Sequence, residues 1–311
     1  MRVVFFGTPS FAVPTLSALL ASSHQVVGVV TQPDKPRGRG QRLSDAPVKA
    51  LAVERGLVVL QPERLRREHF STDFTALGAD LGVVAAYGKL LPEWLIDAPR
   101  FGMINVHASL LPAYRGAAPV HRAVIDGAVE TGVTIMRVVK ALDAGPMMAR
   151  VVRGIGPDET SDVVERDLAS IGAALLVKVV DDLEGGRAIE IPQNDADSTY
   201  APRLTKEEGL LDFSLAARAI HNRIRGLRPW PTAYTFLKGR RLVFHHARVS
   251  DRSAAGAAPG TCTVAGAQGI TIACGDGRTI DVLQVQPEGR RSMSARDYLA
   301  GHGALVGQRF G

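Results

Sequence analysis

An asparagine, a histidine and a serine occupy alternate positions in Asn105-Val106-His107-Ala108-Ser109, followed at once by Leu110-Leu111-Pro112. Alternate side chains of an extended chain share a face, so these three polar groups would lie on one side. Ile104, Val106 and Ala108 would lie on the other. Asp143, in Ala141-Leu142-Asp143-Ala144-Gly145, follows a second apolar run. A carboxylate beside an imidazole orients it and favours its charged form, and a neighbouring amide can donate to a developing oxyanion. Such a set suits acyl transfer to an amine. No serine or cysteine is presented as a nucleophile, and no His, Cys or carboxylate spacing resembles a metal site. A polar face turned to solvent, or a satisfied core histidine, is the alternative reading of Asn105 and His107.

The elements that must position this set are legible in the first half of the chain. Residues 2–7, 26–31, 57–61, 81–87 and 103–107 read as short buried strands, with a helix over 11–20. Strand signals return at 132–139 and 147–152. A long helix follows Thr160 or Ser161, with Val164, Leu168, Ile171, Leu175, Val179 and Leu183 at spacings of three and four, and Gly185-Gly186 ends it. Apolar runs alternating with helices predict an α/β, Rossmann-like, mostly parallel sheet with helices on both faces. Ligands of such sheets sit at the carboxyl ends of the strands, where the Asn105–His107 run ends. The turn after the first strand holds a lone Gly7, without G-x-G-x-x-G or a P-loop, which disfavours a dinucleotide dehydrogenase or P-loop enzyme.

The last third changes texture. A short helix over 214–226 carries Arg218, Arg223 and Arg225. Five strand candidates follow, at 233–237, 242–249, 261–264, 270–274 and 279–285, and predict a small closed, OB-like β-barrel. The expected domains are therefore 1–189, a connector at 190–206, and 207–311, in keeping with a length of 311 residues. With 46% hydrophobic and 22% charged residues and two cysteines, the chain is neither wholly disordered nor built on a disulfide framework. Cys262 and Cys274 are expected to be reduced and buried. No apolar run is long enough to span a membrane, no signal peptide is evident at the N-terminus, and the expected location is the cytoplasm. The absence of an unassigned apolar strip favours a monomer. The net charge of +6 is uneven: residues 207–311 carry +6, and residues 31–49 carry +3 in an otherwise slightly acidic first domain. Two basic patches could face one polyanion.

The residues Asn105-x-His107, Ser109-Leu110-Leu111-Pro112 and Asp143 resemble the formyltetrahydrofolate-dependent formyltransferase family, as does Val84-Ala85-Ala86-Tyr87-Gly88. Thr31-Gln32-Pro33-Asp34 leading to Gly38-Arg39-Gly40, with Tyr114-Arg115-Gly116-Ala117-Ala118-Pro119 and Arg228-Pro229-Trp230-Pro231, resembles the branch that acts on tRNA. The resemblance implies transfer of the formyl group of 10-formyltetrahydrofolate to the amino group of methionyl initiator tRNA, in translation initiation and without a metal. It implies Asn105, His107 and Asp143 as catalytic residues. Folate would contact Tyr87, Gly88, Leu91 and Ser109, Leu110, Leu111, Pro112; tRNA would contact Lys35, Arg37, Arg39 and Arg42 on a mobile loop. Ala141 departs from the glycine more usual there. A small amine as acceptor, a nucleotide sugar or glycinamide ribonucleotide, is the alternative; an RNA-binding protein with an inert α/β domain is disfavoured by the intact set.

Overall fold

A computed structural model describes residues 1–37, 42–302 and 304–311. In chain order the elements are β1 (Arg2–Gly7), α1 (Val13–Ala21), β2 (Gln25–Val30), β3 (Lys35–Arg37), β4 (Arg42–Ser44), α2 (Pro47–Glu54), β5 (Val59–Leu60), α3 (Arg67–Ala76) and β6 (Leu81–Ala85). Then come α4 (Glu93–Ile96), β7 (Met103–His107), β8 (Arg115–Gly116), α5 (Pro119–Asp126), β9 (Glu130–Arg137), β10 (Met147–Gly154) and α6 (Ser161–Glu184). The last are β11 (Tyr200–Ala201), α7 (Ala217–Gly226), β12 (Ala233–Leu237), β13 (Arg240–Ser253), β14 (Cys262–Gly266), β15 (Gly269–Ala273), β16 (Arg278–Pro287), β17 (Met293–Ser294) and α8 (Ala295–His302).

The chain divides into two compact units. One holds Met1–Pro119, Thr131–Gly154 and Glu165–Ala201; the other holds Val120–Glu130, Ile155–Val164 and Pro202–Gly311. Two short pieces from the middle of the chain therefore belong with the C-terminal unit. The segment read as a connector is more than that: Glu190–Ala201 packs into the first unit, through bonds described below.

In the first unit seven strands run in the order β10-β9-β7-β6-β1-β2-β5. β1 pairs parallel with β2 and β6, β6 with β7, and β2 with β5, while β7 and β9 are antiparallel. The central strands are apolar on both faces because helices cover both. On one face Val4, Phe6, Val84 and Met103 meet Phe70 and Phe74 of α3, Leu95 and Ile96 of α4, and Tyr87. Each such side chain contributes about 1.5–3 kcal/mol by leaving water. The lone Gly7 is required by close approach: a Cβ there would sit 2.9 Å from Ala12 Cβ and 3.1 Å from the Ala85 carbonyl oxygen. In α6 the buried stripe is broader than the predicted one. It adds Ala169, Ala173, Leu176 and Val180, and leaves Ile171 and Leu175 half-buried at its margin. A 24-residue helix drifts around its axis relative to a fixed three-four alternation, so its two ends bury different positions.

In the second unit the antiparallel sheet runs β12-β13-β16-β15-β14, with β17 on β16. Phe213, Phe244 and Phe310 fill its core with ring centroids 5.9–6.5 Å apart. No strand pair joins β12 to β14 among the described residues. The C-terminal tail reaches both edges instead: Cys262 N donates to Gln308 O at 2.8 Å, and Gly311 N donates to Phe236 O at 3.0 Å. Cys262 and Cys274 are free, buried thiols, pushed up to about 11 and about 12 by burial. Of the three arginines predicted for α7, Arg225 is no surface charge. It is buried, and it donates to Asn222 Oδ1 at 2.9 Å and to the Glu159 carbonyl at 3.0 Å.

His221 on α7 is also buried, with Nε2 3.1 Å from Asp158 Oδ1. Burial outweighs the Asp158 charge and lowers its pKa to about 4. The unfolded chain, with the ordinary value near 6.5, therefore binds the proton more readily between these two values. The contribution of neutral His221 is complete above about pH 6.5 and is lost as pH falls toward about 4, on the order of 3 kcal/mol in all. Urea unfolding of the second unit at about pH 7.5 and about pH 4.5 will show this loss, and His221→Gln will reduce it. An identical pH dependence in His221→Gln would contradict the assignment.

Candidate active site

β7 ends on His107, so the imidazole stands at the carboxyl edge of the sheet. The ring is buried, and its Nε2 lies 3.0 Å from the Tyr114 carbonyl oxygen. A carbonyl can only accept, so Nε2 donates in this contact. Nδ1 is left facing Asp143 Oδ2 at 3.7 Å. The same Oδ2 accepts the Gly116 N–H at 2.9 Å. Asn105, two residues back on the same face, is half-buried, and its side-chain amide has no hydrogen-bond partner among the described residues. The structure therefore brings Asn105, His107 and Asp143 into one place.

The route by which Asp143 arrives differs from a simple strand end. β9 is antiparallel to β7, with His107 opposite Thr134 and Ile104 opposite Arg137. The end of β9 thus lies at the far end of β7 from His107, and the following loop must double back to reach the imidazole. Asp143 turns in the left-handed region at φ +47°, which a non-glycine residue adopts only when its surroundings impose it. Gln193 supplies part of that constraint: its Nε2 donates to the Asp143 and Gly145 carbonyls, each at 2.8 Å. Arg115 in turn donates to Gln193 Oε1 from Nε at 3.0 Å and Nη2 at 2.8 Å. β11 pairs parallel with β8, placing Tyr200 opposite Arg115 and Ala201 opposite Gly116. Gly116 has φ +120°, and a Cβ there would lie 2.7 Å from the Tyr200 ring and 2.8 Å from the Ala201 carbonyl oxygen. Sequence reasoning named Tyr114 only as part of the Tyr114–Pro119 motif, without this role, and missed Gln193 and Tyr200. Tyr114 acts through a carbonyl, which its side chain does not advertise, and Gln193 sits in a segment without periodicity.

Ser109 is not on the strand, which stops at His107. Its hydroxyl closes a turn by donating to the Ala113 carbonyl at 2.6 Å. Buried Thr134 braces this turn, donating to Ser109 O at 2.7 Å and accepting from Leu111 N at 3.1 Å. Leu111 is fully buried with Met136 and Met147, whereas Leu110 and Pro112 are half-buried. Tyr87 is also core: its ring meets Phe6 edge-on at 5.4 Å, and burial pushes its phenol up to about 12. The Tyr87 carbonyl already accepts Gln32 Nε2 at 2.7 Å and Thr8 Oγ1 at 3.2 Å. Leu91 packs partly against the same core, and Gly88 is exposed with φ +81°.

Lys35 and Arg42 lie on a two-stranded ribbon that pairs Lys35 with Ser44 and Arg37 with Arg42. Arg39 falls outside the described residues. At the base of the ribbon Asp34 is held by Lys49 and by Gln61 Nε2 at 3.1 Å, bonds that keep its carboxyl below the usual range.

Residues 1–180 match the family described as Formyl transferase, and residues 203–303 match Formyl transferase, C-terminal domain. The methionyl-tRNA formyltransferases of Moorella thermoacetica and Methylococcus capsulatus are each 45% identical over 311 residues, covering all of this chain and 99% and 100% of theirs. The N-formyltransferase of Helicobacter canadensis, solved with folinic acid and dTDP-3-aminofucose, has the same fold. Its TM-score is 0.67 at 15% identity, over 92% of this chain and 99% of that one. The chain belongs to the formyl transferase family, among its methionyl-tRNA formyltransferases.

Proposed function

We propose that the protein transfers the formyl group of 10-formyltetrahydrofolate to the α-amino group of methionine esterified to initiator tRNA, giving formylmethionyl-tRNA for translation initiation in the cytoplasm. The observation that carries this reading is the placement of His107 Nδ1 3.7 Å from Asp143 Oδ2, on the strand face that also bears the Asn105 amide, which has no hydrogen-bond partner among the described residues. Full-length relatives that act on methionyl-tRNA support the choice of acceptor over a small amine. The folinic acid in the Helicobacter canadensis structure supports a folate donor. Folate would bind against Gly88 and the half-buried Leu110 and Pro112; Tyr87, Leu91, Ser109 and Leu111 would shape that surface from beneath.

An α-amine has a pKa of about 7.7–8.0, so a useful fraction is unprotonated near neutral pH and no strong base is needed to create the nucleophile. Nitrogen attacks the formyl carbon, the new C–N bond forms, and negative charge develops on the formyl oxygen. The Asn105 amide donates to that oxygen. His107 Nε2–H joins it by exchanging the Tyr114 carbonyl for the stronger acceptor. The proton lost by the amine passes to the basic pair Nδ1 and Oδ2. The bond from carbon to the folate nitrogen then breaks, and that nitrogen takes up the proton that the pair received from the amine. His107→Ala and Asp143→Asn should each retain folate binding and lose about 10²–10³ in kcat, the cost of removing one charge-stabilising group. Turnover near wild type in either variant would exclude this role.

The acceptor is tested with labelled 10-formyltetrahydrofolate and either methionyl initiator tRNA, small amines, or no acceptor. Label on the tRNA is expected, and label on a nucleotide sugar or glycinamide ribonucleotide would favour the small-amine reading. Lys35, Arg37 and Arg42 would contact tRNA phosphates from the ribbon strands at 35–37 and 42–44, and Arg39, outside the described residues, would be the fourth contact. Four such contacts should weaken tRNA binding about 10²-fold between about 50 and about 200 mM salt. Replacing Arg37, Arg39 and Arg42 together should flatten that slope while leaving folate affinity unchanged. A salt-independent tRNA affinity in the unmodified protein would contradict the electrostatic interface.

A further inference from the structure

Gln193 lies in a polar stretch between the long helix α6 and β11, far in sequence from every residue of the site. Its amide is nonetheless fully committed. Both Nε2 hydrogens go to carbonyls, those of Asp143 and Gly145, at 2.8 Å each. Both acceptor positions of Oε1 are taken by Arg115, at 3.0 Å from Nε and 2.8 Å from Nη2. Arg115 is also anchored by Asp195, whose Oδ1 accepts from Nη2 at 2.7 Å. The next residue after Arg115 is Gly116, whose N–H donates to the Asp143 carboxylate. One side-chain amide thus ties the backbone of Asp143 to the strand that supplies the donor for its carboxylate.

We propose that Gln193 is the positioning residue for Asp143, fixing the distance from its carboxylate to His107 Nδ1. The proposal rests on the reading that Asp143 serves formyl transfer. Asp143 has a left-handed backbone, and the loop that carries it must double back from the end of β9. Left to itself such a loop would relax toward the commoner backbone regions and swing the carboxylate away. Two carbonyls separated by one residue are gripped by a single NH2 group, which fixes the Asp143–Ala144 and Gly145–Pro146 peptide planes. No other side chain has this reach and hydrogen-bonding pattern: glutamate has the length but no donors, and asparagine has the donors but is one methylene shorter. Gln193 touches no reacting atom. Its effect on turnover should therefore pass wholly through Asp143.

A double-mutant cycle tests this directly. The purified full-length proteins are wild type, Gln193→Ala, Gln193→Glu, Asp143→Asn, and the Gln193→Ala/Asp143→Asn pair. For each, kcat and the KM for 10-formyltetrahydrofolate are measured with methionyl initiator tRNA in excess. Gln193→Ala and Gln193→Glu should each lower kcat by about 10²-fold, the scale expected of a displaced group, with KM changed by less than about 2-fold. In the Asp143→Asn background, Gln193→Ala should cost less than about 3-fold more, because the group it positions is already disabled. Multiplied losses in the double variant would overturn the proposal in favour of a general structural role. So would a loss confined to KM. If Gln193→Ala does not fold, Gln193→Glu and its pair with Asp143→Asn carry the comparison, since glutamate keeps an acceptor for Arg115 and replaces the two donors by an oxygen that repels both carbonyls. Wild-type kcat in Asp143→Asn would overturn the reading of the site and this proposal with it. A crippled Asp143→Asn beside wild-type Gln193 variants would overturn this proposal alone.

Discussion

The site depends on holding one carboxylate, that of Asp143, against one imidazole, that of His107, at the carboxyl edge of β7. Neither residue gains this position from its own element alone. His107 is fixed because its strand is buried and because Nε2 is satisfied by the Tyr114 carbonyl, which leaves Nδ1 as the atom presented to the carboxylate. Asp143 sits on a loop that begins at the wrong end of the sheet and is returned by hydrogen bonds from Gln193 and Gly116. Much of the irregular structure around the sheet, including the left-handed Tyr114 and the short pairing of β8 with β11, follows from that requirement. Strain at such positions persists only where neighbours over-determine it, and here the neighbours are hydrogen bonds converging from two separate stretches of chain, at Gly116 and Gln193.

The regular part of this architecture was legible in the residues. Buried strands such as β1 and β2, where Val3 pairs with Val26 and Phe6 with Val30, are apolar on both faces, and that pattern alone calls for a covered parallel sheet. The Asn105-x-His107 alternation placed two side chains on one face because a strand has a period of two. The same rule failed at Ser109, since the strand ends at His107 and the serine hydroxyl turns to close the Ser109–Ala113 turn. The nearness of Asp143 to His107 was also legible, but for a reason that the structure replaces. Antiparallel pairing of β9 puts the strand end elsewhere, and tertiary hydrogen bonds bring the loop home.

What the sequence hid is of one physical kind. Carbonyl acceptors, such as that of Tyr114, have no residue signature. Polar side chains in aperiodic segments, such as Gln193, show their role only once folding has placed them. Residues 190–206 read as a connector because they lack a repeating apolar face, yet Gln193 within them is where the site loop is fastened. Composition misled in a similar way in the second unit. Its basic surplus counts Arg225, which is buried and spent on Asn222 and a backbone carbonyl, so charge tallies overstate the cationic surface. Tyr87 and Leu111 show the converse: both are core side chains, and any part they play in holding a ligand runs through the shape of the backbone above them.

The central claim is that this constellation lowers the barrier by holding the charge that develops on the formyl oxygen. Asn105 tests it most directly, because its half-buried amide has no other partner to serve among the described residues. The measurement is the single-turnover rate of formyl transfer to methionyl initiator tRNA by Asn105→Ala, with both substrates saturating. The account predicts a fall of about 10²–10³-fold in that rate with folate affinity little changed. A rate equal to wild type would mean that the charge is held elsewhere, and the account would be wrong.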